Sequence, residues 1–228
     1  SMAMMVKNEE LFLEEALRSA KGWCDELVVV DTGSTDRTVE IAQDLGAKVS
    51  FYEWPNNFSK ARNVTLRRAT GRYIAVLDAD ERFRSPKPEA IRQFLKPGPH
   101  HPFEALMVNV VNVKLDMTPV SSFFSTRFFP NDSRLGYGGR VHNRFGALGD
   151  SPQQIFATRY VGTEVIHLGY DPEIYATRKK AERSLPLIEQ TVREEPENWQ
   201  YRYYLGREYL LLERHEEAIR ELRIALEG

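Results

Sequence analysis

This sequence has very little cysteine. Cys24 is the only one in 228 residues, so no internal disulfide can form, and the chain suits a reducing cytoplasm. In the stretch Gly22-Trp23-Cys24-Asp25, that thiol reads as a small apolar side chain packed between a helix and a strand. Long hydrophobic runs are missing, which excludes a membrane-spanning helix, and no secretory leader is read at the start. A large charge of either sign is also missing. The formal net charge is −2, which gives no basis for a nucleic-acid surface. The G-x-G-x-x-G turn of dinucleotide-binding folds does not occur. Ser1-Met2 reads as a cloning remnant. The last residues before Gly228 stop on a helical pattern without a cap, so the native chain is expected to continue.

What is present begins with a buried strand that ends in acid. Tyr73 to Leu77 is an unbroken apolar run, as in a strand covered on both faces. Asp78 and Asp80 follow at its carboxyl end, where ligands bind in open α/β sheets. Paired hard oxygens suit Mg²⁺ or Mn²⁺, and such ions suit a diphosphate. An isolated Asp-x-Asp also reads as a solvated acidic turn. Between Phe58 and Arg84 lie seven basic residues, an excess that suits a polyphosphate, although Arg67 and Arg68 read as a solvated helix face.

The first half alternates. Ala3 to Val6 is a strand, and Leu13, Ala16, Leu17 and Ala20 mark a helix face ended by Gly22. Glu26 to Asp31 is a strand, about Thr35 to Leu45 a helix, Ala47 to Tyr52 a strand and Phe58 to Ala69 a helix. The Tyr73–Leu77 strand follows. This order predicts a mostly parallel sheet flanked by helices. Asp31-Thr32-Gly33-Ser34 stands at a strand end, where helix amides can meet an anion. Beyond Glu81, prolines break the chain around a short helix at about Glu89 to Leu95. Ala105 to Leu115 and Ser122 to Phe129 then read as strands of an antiparallel edge, Gly136 to Gly139 as a flexible turn, and Tyr160 to His167 as a strand.

From Pro172 onward the pattern is helical: Ile174 to Arg193, Trp199 to Leu212, and His215 to Leu226. Leu205, Gly206, Tyr209, Ala218, Leu222 and Ala225 fall at the spacing of a tetratricopeptide repeat, with Arg202 where that repeat places tryptophan. One repeat cannot bury its own face, so it must pack on the preceding domain, on further repeats or on another chain. Trp199, Tyr201, Tyr203 and Tyr204 read as helix-pair packing in preference to a sugar platform. His100, His101 and His215 read as solvated or structural. His142 and His167 stand near strand ends, and each reads either as a satisfied core histidine or as a metal ligand.

Four motifs occur in order: Met5-Val6-Lys7-Asn8-Glu9-Glu10, Val30-Asp31-Thr32-Gly33-Ser34-Thr35-Asp36, Phe58-Ser59-Lys60-Ala61-Arg62-Asn63 and Leu77-Asp78-Ala79-Asp80-Glu81. Arg140-Val141-His142 and His167-Leu168-Gly169-Tyr170 follow. On these residues the chain resembles a family 2 glycosyltransferase of the GT-A fold with a tetratricopeptide tail. The resemblance implies a transferase domain over residues 1–170 and a helical extension over 171–228.

The resemblance also implies site residues. Nucleotide contacts fall on Val6, Asn8, Glu9, Asp31 (to the base, usually uracil), Lys60, Arg62, Asp78 and Ala79. Asp78, Asp80 and His167 fall at the metal, Mn²⁺ or Mg²⁺. The expected reaction is transfer of a hexose from a UDP-sugar, with inversion, to a glycan, lipid or polypeptide acceptor, and the tail is a route to a homodimer. A catalytically weak nucleotide-sugar-binding scaffold is the alternative, and a nucleotidyltransferase is a third. In the family, Arg140-Val141-His142 is typically followed by glutamate, a general base. Here position 143 is Asn143, and an amide cannot accept the proton. Either another carboxylate (Asp116, Asp132 or Asp150) serves beside His142, or the acceptor is acidic enough without one, as a thiolate would be, or transfer is poor.

Overall fold

A computed structural model of the chain describes residues 1–85, 91, 95, 104–149, 155–169, 171, 174 and 180–227. In the first half, β1 (Met2–Val6), β2 (Leu27–Asp31), β3 (Lys48–Phe51) and β4 (Tyr73–Val76) alternate with α1 (Leu13–Lys21), α2 (Thr38–Asp44) and α3 (Phe58–Arg68). All five residues of β2 are buried, as expected for a strand covered on both faces. The face of α1 formed by Leu13, Ala16, Leu17 and Ala20 is fully buried. Asn57 caps α3 by accepting a hydrogen bond from the Lys60 amide at 2.9 Å, which satisfies an amide that has no intrahelical partner.

The strands continue as β5 (Glu81–Arg84), β6 (Glu104–Val113), β7 (Pro119–Pro130) and β10 (Phe156–His167), with a separate hairpin of β8 (Leu135–Gly138) and β9 (Arg144–Ala147). The main sheet has the order β3-β2-β1-β4-β7-β6-β10-β5. Parallel pairing joins β3 to β2, β2 to β1, β1 to β4 and β6 to β10, and antiparallel pairing joins the rest. Two cores cover the two faces. Met2, Met4, Ala75, Leu77, Leu106 and Phe128 face one; Ala3, Ile74, Val76, Ala105 and Phe129 face the other. Alternate residues of one strand divide between them, as the pleat requires. Cys24 packs partly buried against the first core.

Three expectations change. The strands read as an edge, β6 and β7, are interior, with β7 paired to β4 and β6; Leu106 and Phe128 are buried on one face of the sheet and Ala105 and Phe129 on the other. Gly136 to Gly138 is strand, not a loose turn, and pairs with Arg144 to Gly146. The strand β5 was not legible; its Phe83 is buried against Trp23 and Phe128 at ring separations of 4.9 and 5.4 Å. The short helix expected around Glu89 to Leu95 lies outside the described residues except for Ile91 and Leu95.

The tail comprises α4 (Lys180–Glu194), α5 (Trp199–Leu211) and α6 (His215–Glu227). The helices α5 and α6 approach closely at Gly206, where an added Cβ would lie 2.6 Å from Leu222. Arg202 pairs with Glu221 at 2.8 Å. The tail docks on the preceding domain. Val141 shares a cluster with Leu187, Ile188, Val192, Leu205, Tyr209 and Ala218, against which Trp54 and Phe58 also pack. Among the described residues no helix is long and apolar enough to cross a membrane.

Candidate active site

The parallel strands β1, β2 and β4 end side by side, and their loops brace one another. Asn8 adopts φ +54°. Its amide donates to Ser34 Oγ at 2.9 Å and its Oδ1 accepts from the Thr35 amide at 2.8 Å. The Glu9 amide donates to Thr38 Oγ1 at 2.7 Å. At the end of β2, Asp31 Oδ1 accepts from the amides of Gly33 and Ser34 at 2.9 and 3.0 Å. Gly33 has φ +105°, a conformation that resists side chains. The second oxygen, Asp31 Oδ2, is buried and has no hydrogen-bond partner among the described residues. A buried carboxylate oxygen without a donor costs roughly 1–3 kcal/mol or more, and a ligand donor would remove that penalty.

At the end of β4, charges of both signs are gathered. Arg62 Nη2 donates to Asp78 Oδ1 at 2.9 Å, and its guanidinium lies 5.1 Å above the buried Tyr137 ring. Burial tends to raise the Asp78 carboxyl, but Arg62 and then Arg127 outweigh it and hold the group below the usual carboxylate range. Glu81, 2% exposed, accepts from Arg127 Nη2 at 2.5 Å and from the Asp78 amide at 2.9 Å. Burial pushes its carboxyl up, and Arg127 pulls it back only in part. Arg127, Glu81 and Tyr137 were not singled out from sequence. The signal for Arg127 was a lone charge in the apolar run Phe123 to Phe129, a pattern that implies a buried partner.

Two of the three expected metal ligands come together. His167 Nε2 lies 3.5 Å from Asp80 Oδ2. His167 Nδ1 is 2.7 Å from Asn112 Oδ1, and Asn112 Nδ2 donates to Ser121 Oγ at 2.8 Å. With Asn112 Oδ1 as acceptor, Nδ1 is the ring nitrogen that donates, and Nε2 is the one that faces Asp80. Asp78 faces Arg62 instead, and among the described residues no three His, Cys, Asp or Glu side chains form a group that could hold a metal. Two protein ligands still fit Mg²⁺ or Mn²⁺, because such ions commonly take one or two side chains and fill the remainder with phosphate oxygens and water.

The other expected residues divide. Val6 and Ala79 are buried at the ends of β1 and β4, Lys60 is exposed on α3, and Arg67 and Arg68 form the solvated face read from sequence. His142, at φ +48°, lays its ring on Tyr204 with centroids 4.0 Å apart. Partial burial and then Arg207 push its pKa down. Asn143 Nδ2 is buried and has no hydrogen-bond partner among the described residues. Of the alternative bases, Asp132 is bound to Arg134 at 2.7 Å and held down to about 2, which makes it a poor proton acceptor. Asp116 sits in the exposed turn between β6 and β7, accepting from the Thr118 amide. Asp150 lies outside the described residues.

Comparison with known proteins follows this geometry. The family model "Glycosyl transferase family 2" matches residues 1–143. The SPbeta prophage-derived glycosyltransferase SunS of Bacillus subtilis is 28% identical over 222 residues, 96% of this chain and 51% of that protein. A TPR repeat-containing protein of Synechococcus elongatus is 33% identical over 202 residues, 87% of this chain and 49% of its own length. The chain thus spans about half the length of the curated relatives it matches. Among solved structures, S. aureus TarS 1-349 covers 92% of this chain and 69% of its own, with 17% identity and a TM-score of 0.46. Glucosyl-3-phosphoglycerate synthase from Mycobacterium tuberculosis, in complex with Mn²⁺, UDP and glucosyl-3-phosphoglycerate, covers 50% of this chain and 43% of its own, with 22% identity and a TM-score of 0.36. With strand ends β1, β2 and β4 carrying Asn8, Asp31 and Asp78, and the family model covering well over half of the sequence, this chain belongs to glycosyl transferase family 2.

Proposed function

We propose that the protein transfers a hexose from a UDP-sugar to an acceptor, with inversion at the anomeric carbon. The observation that carries this reading is the buried, partnerless Asp31 Oδ2 at the end of β2. Its partner oxygen is committed to the Gly33 and Ser34 amides, so the free oxygen is held in position to accept from the imide N–H of uracil. Asn8 and Glu9 shape the adjoining nucleoside wall. Arg62 sits at the phosphates, kept charged and oriented by Asp78 and Tyr137. Asp80 and His167 would hold a divalent cation, which when bound supplies charge stabilisation for the diphosphate leaving group. The relative named glycosyltransferase SunS supports transfer chemistry as the class.

Position 143 bears on the base. Asn143 cannot accept a proton, and Asp132 is committed to Arg134. A binding protein with weak turnover therefore stands as the second reading. The closely packed pair α5–α6, joined at Gly206, is proposed as a tetratricopeptide-type unit, with the transferase domain ending near residue 170.

The test is calorimetry of UDP and GDP with Mn²⁺, followed by turnover of a UDP-sugar panel. UDP should bind more tightly than GDP, and Asp31→Ala should weaken UDP by roughly ten- to a hundredfold, the value of a hydrogen bond to a charged group. Chelation or Asp80→Ala should weaken UDP several-fold. Tighter GDP binding would overturn the donor class, and release of pyrophosphate instead of UDP would overturn the reaction class.

A further inference from the structure

A cavity lies at the seam between the β8–β9 hairpin and the tail. It has a volume of about 330 Å³ and is lined by Gly138, Gly139, His142, Arg144, Glu195, Asn198, Gln200, Tyr201 and Tyr204. Gly138 follows Tyr137, the ring beneath Arg62, so one strand, β8, contributes to both the strand-end cluster and the cavity. Two conditions make room for it. Gly139 has φ +87°, and a Cβ there would meet Tyr201 Oη at 2.7 Å. At Gly138 a Cβ would meet nothing within 4 Å.

The lining combines aromatic rings with planar polar groups. The rings of His142 and Tyr204 meet at a tilt of 34° to form one wall, and Tyr201 stands edge-on to Tyr204 with centroids 6.2 Å apart. Glu195 Oε2 accepts from Asn198 Nδ2 at 2.9 Å. Glu195 and Arg144 are exposed at the cavity rim. The negative face of an aromatic ring suits the C–H face of a pyranose. Carboxylate, carboxamide and guanidinium groups suit its hydroxyls, because they present acceptors and donors in one plane. The volume is near the lower limit of ligand pockets, which favours a single sugar ring over a longer chain.

We propose that this cavity is the acceptor subsite, that it takes a hexose-type pyranose, and that the helical tail supplies half of it. Tyr204 packs against the ring, and Glu195, Asn198 and Gln200 bind its hydroxyls. This rests on the transferase reading above. It gives the tail a role in binding small-molecule acceptor rather than only in packing.

The experiment uses the full chain with UDP and Mn²⁺ present. Methyl glycosides of glucose, galactose, mannose and N-acetylglucosamine are titrated and followed by saturation-transfer NMR. At least one should bind, with the strongest saturation on the protons of one ring face. Glu195→Ala should weaken it at least fivefold, and Gly138→Leu, which fills the cavity at a position without strain, should abolish it. Thermal unfolding checks each variant, and Gln200→Ala replaces any that does not fold. No binding by the four glycosides, or binding unchanged in both variants, overturns the proposal. A UDP titration of the unsubstituted protein separates the two failures: UDP bound without glycoside removes only this subsite, while UDP not bound removes the donor reading itself.

Discussion

The strand-end cluster and the tail seam are adjacent but built on different physics. The cluster holds Arg62, Arg127, Asp78 and Glu81 by pairing charges, two of them nearly out of reach of water. The seam holds by apolar packing around Val141, Leu187 and Ile188, with one partly exposed ion pair, Arg140 to Glu194, on its margin. A buried pair fixes direction at a net energetic gain that can be small, because desolvation opposes the Coulomb attraction. Apolar packing stabilises more and directs less. The cluster is therefore suited to aiming guanidinium and carboxylate groups at a ligand, and the seam to keeping two bodies together.

The largest effect should come from breaking the cluster. Arg127→Ala leaves Glu81 buried without its partner, and urea unfolding should show a loss of about 3–5 kcal/mol. A loss below about 1 kcal/mol would mean that Glu81 is simply protonated there. Next is a control remote from the cluster. Glu26 precedes β2 at the end opposite Asp31. Burial tends to raise its carboxyl, but Lys48, Ser1 and Thr70 outweigh it and hold the pKa to about 2. The folded value is lowered, so the stability is present above the unfolded value near 4.5 and is lost as pH falls toward about 2. Stability against pH should decline through that window by on the order of 2–3 kcal/mol, and Glu26→Gln should flatten the decline. A decline unaltered in that variant would assign it to other carboxylates.

The seam's counterpart is Gly206→Ala. The new Cβ meets Leu222 at 2.6 Å and the Ala218 carbonyl at 3.2 Å, so either Leu222 or the helix pair must shift. The expected loss is about 1–3 kcal/mol, seen as a lower thermal midpoint. A gain would show that Leu222 rotates away freely and that the helix propensity of alanine dominates. The smallest effect belongs to Arg140→Ala. Its partner Glu194 is half exposed, so solvent screens the pair and the thermal midpoint should hardly move. A larger loss would mean that the margin, and not the apolar cluster, holds the tail.

Local sequence determined most of the first half. Apolar runs of four or five residues, each followed by a helix with one apolar face, specify parallel strands, because burial on both faces and period-3.6 patterning leave few alternatives. Asn8, Asp31 and Asp78 were legible for the same reason: they stand where those runs stop. The helical spacing of Gly206, Ala218 and Leu222 likewise announced the close pair α5–α6. What the tertiary structure alone decided depends on residues distant in sequence. The placement of β7 between β4 and β6, the pairing of Glu81 with Arg127, the turning of Asp78 toward Arg62 and the orientation of His167 by Asn112 all join groups from separate elements of the fold. The cavity joins Gly138 to Tyr201 and Tyr204 across the seam. Periodicity reports which face of an element is apolar, but not which element that face will meet. Side-chain partners 46 or 55 residues apart are chosen by how the whole sheet closes, so they appear only when it has.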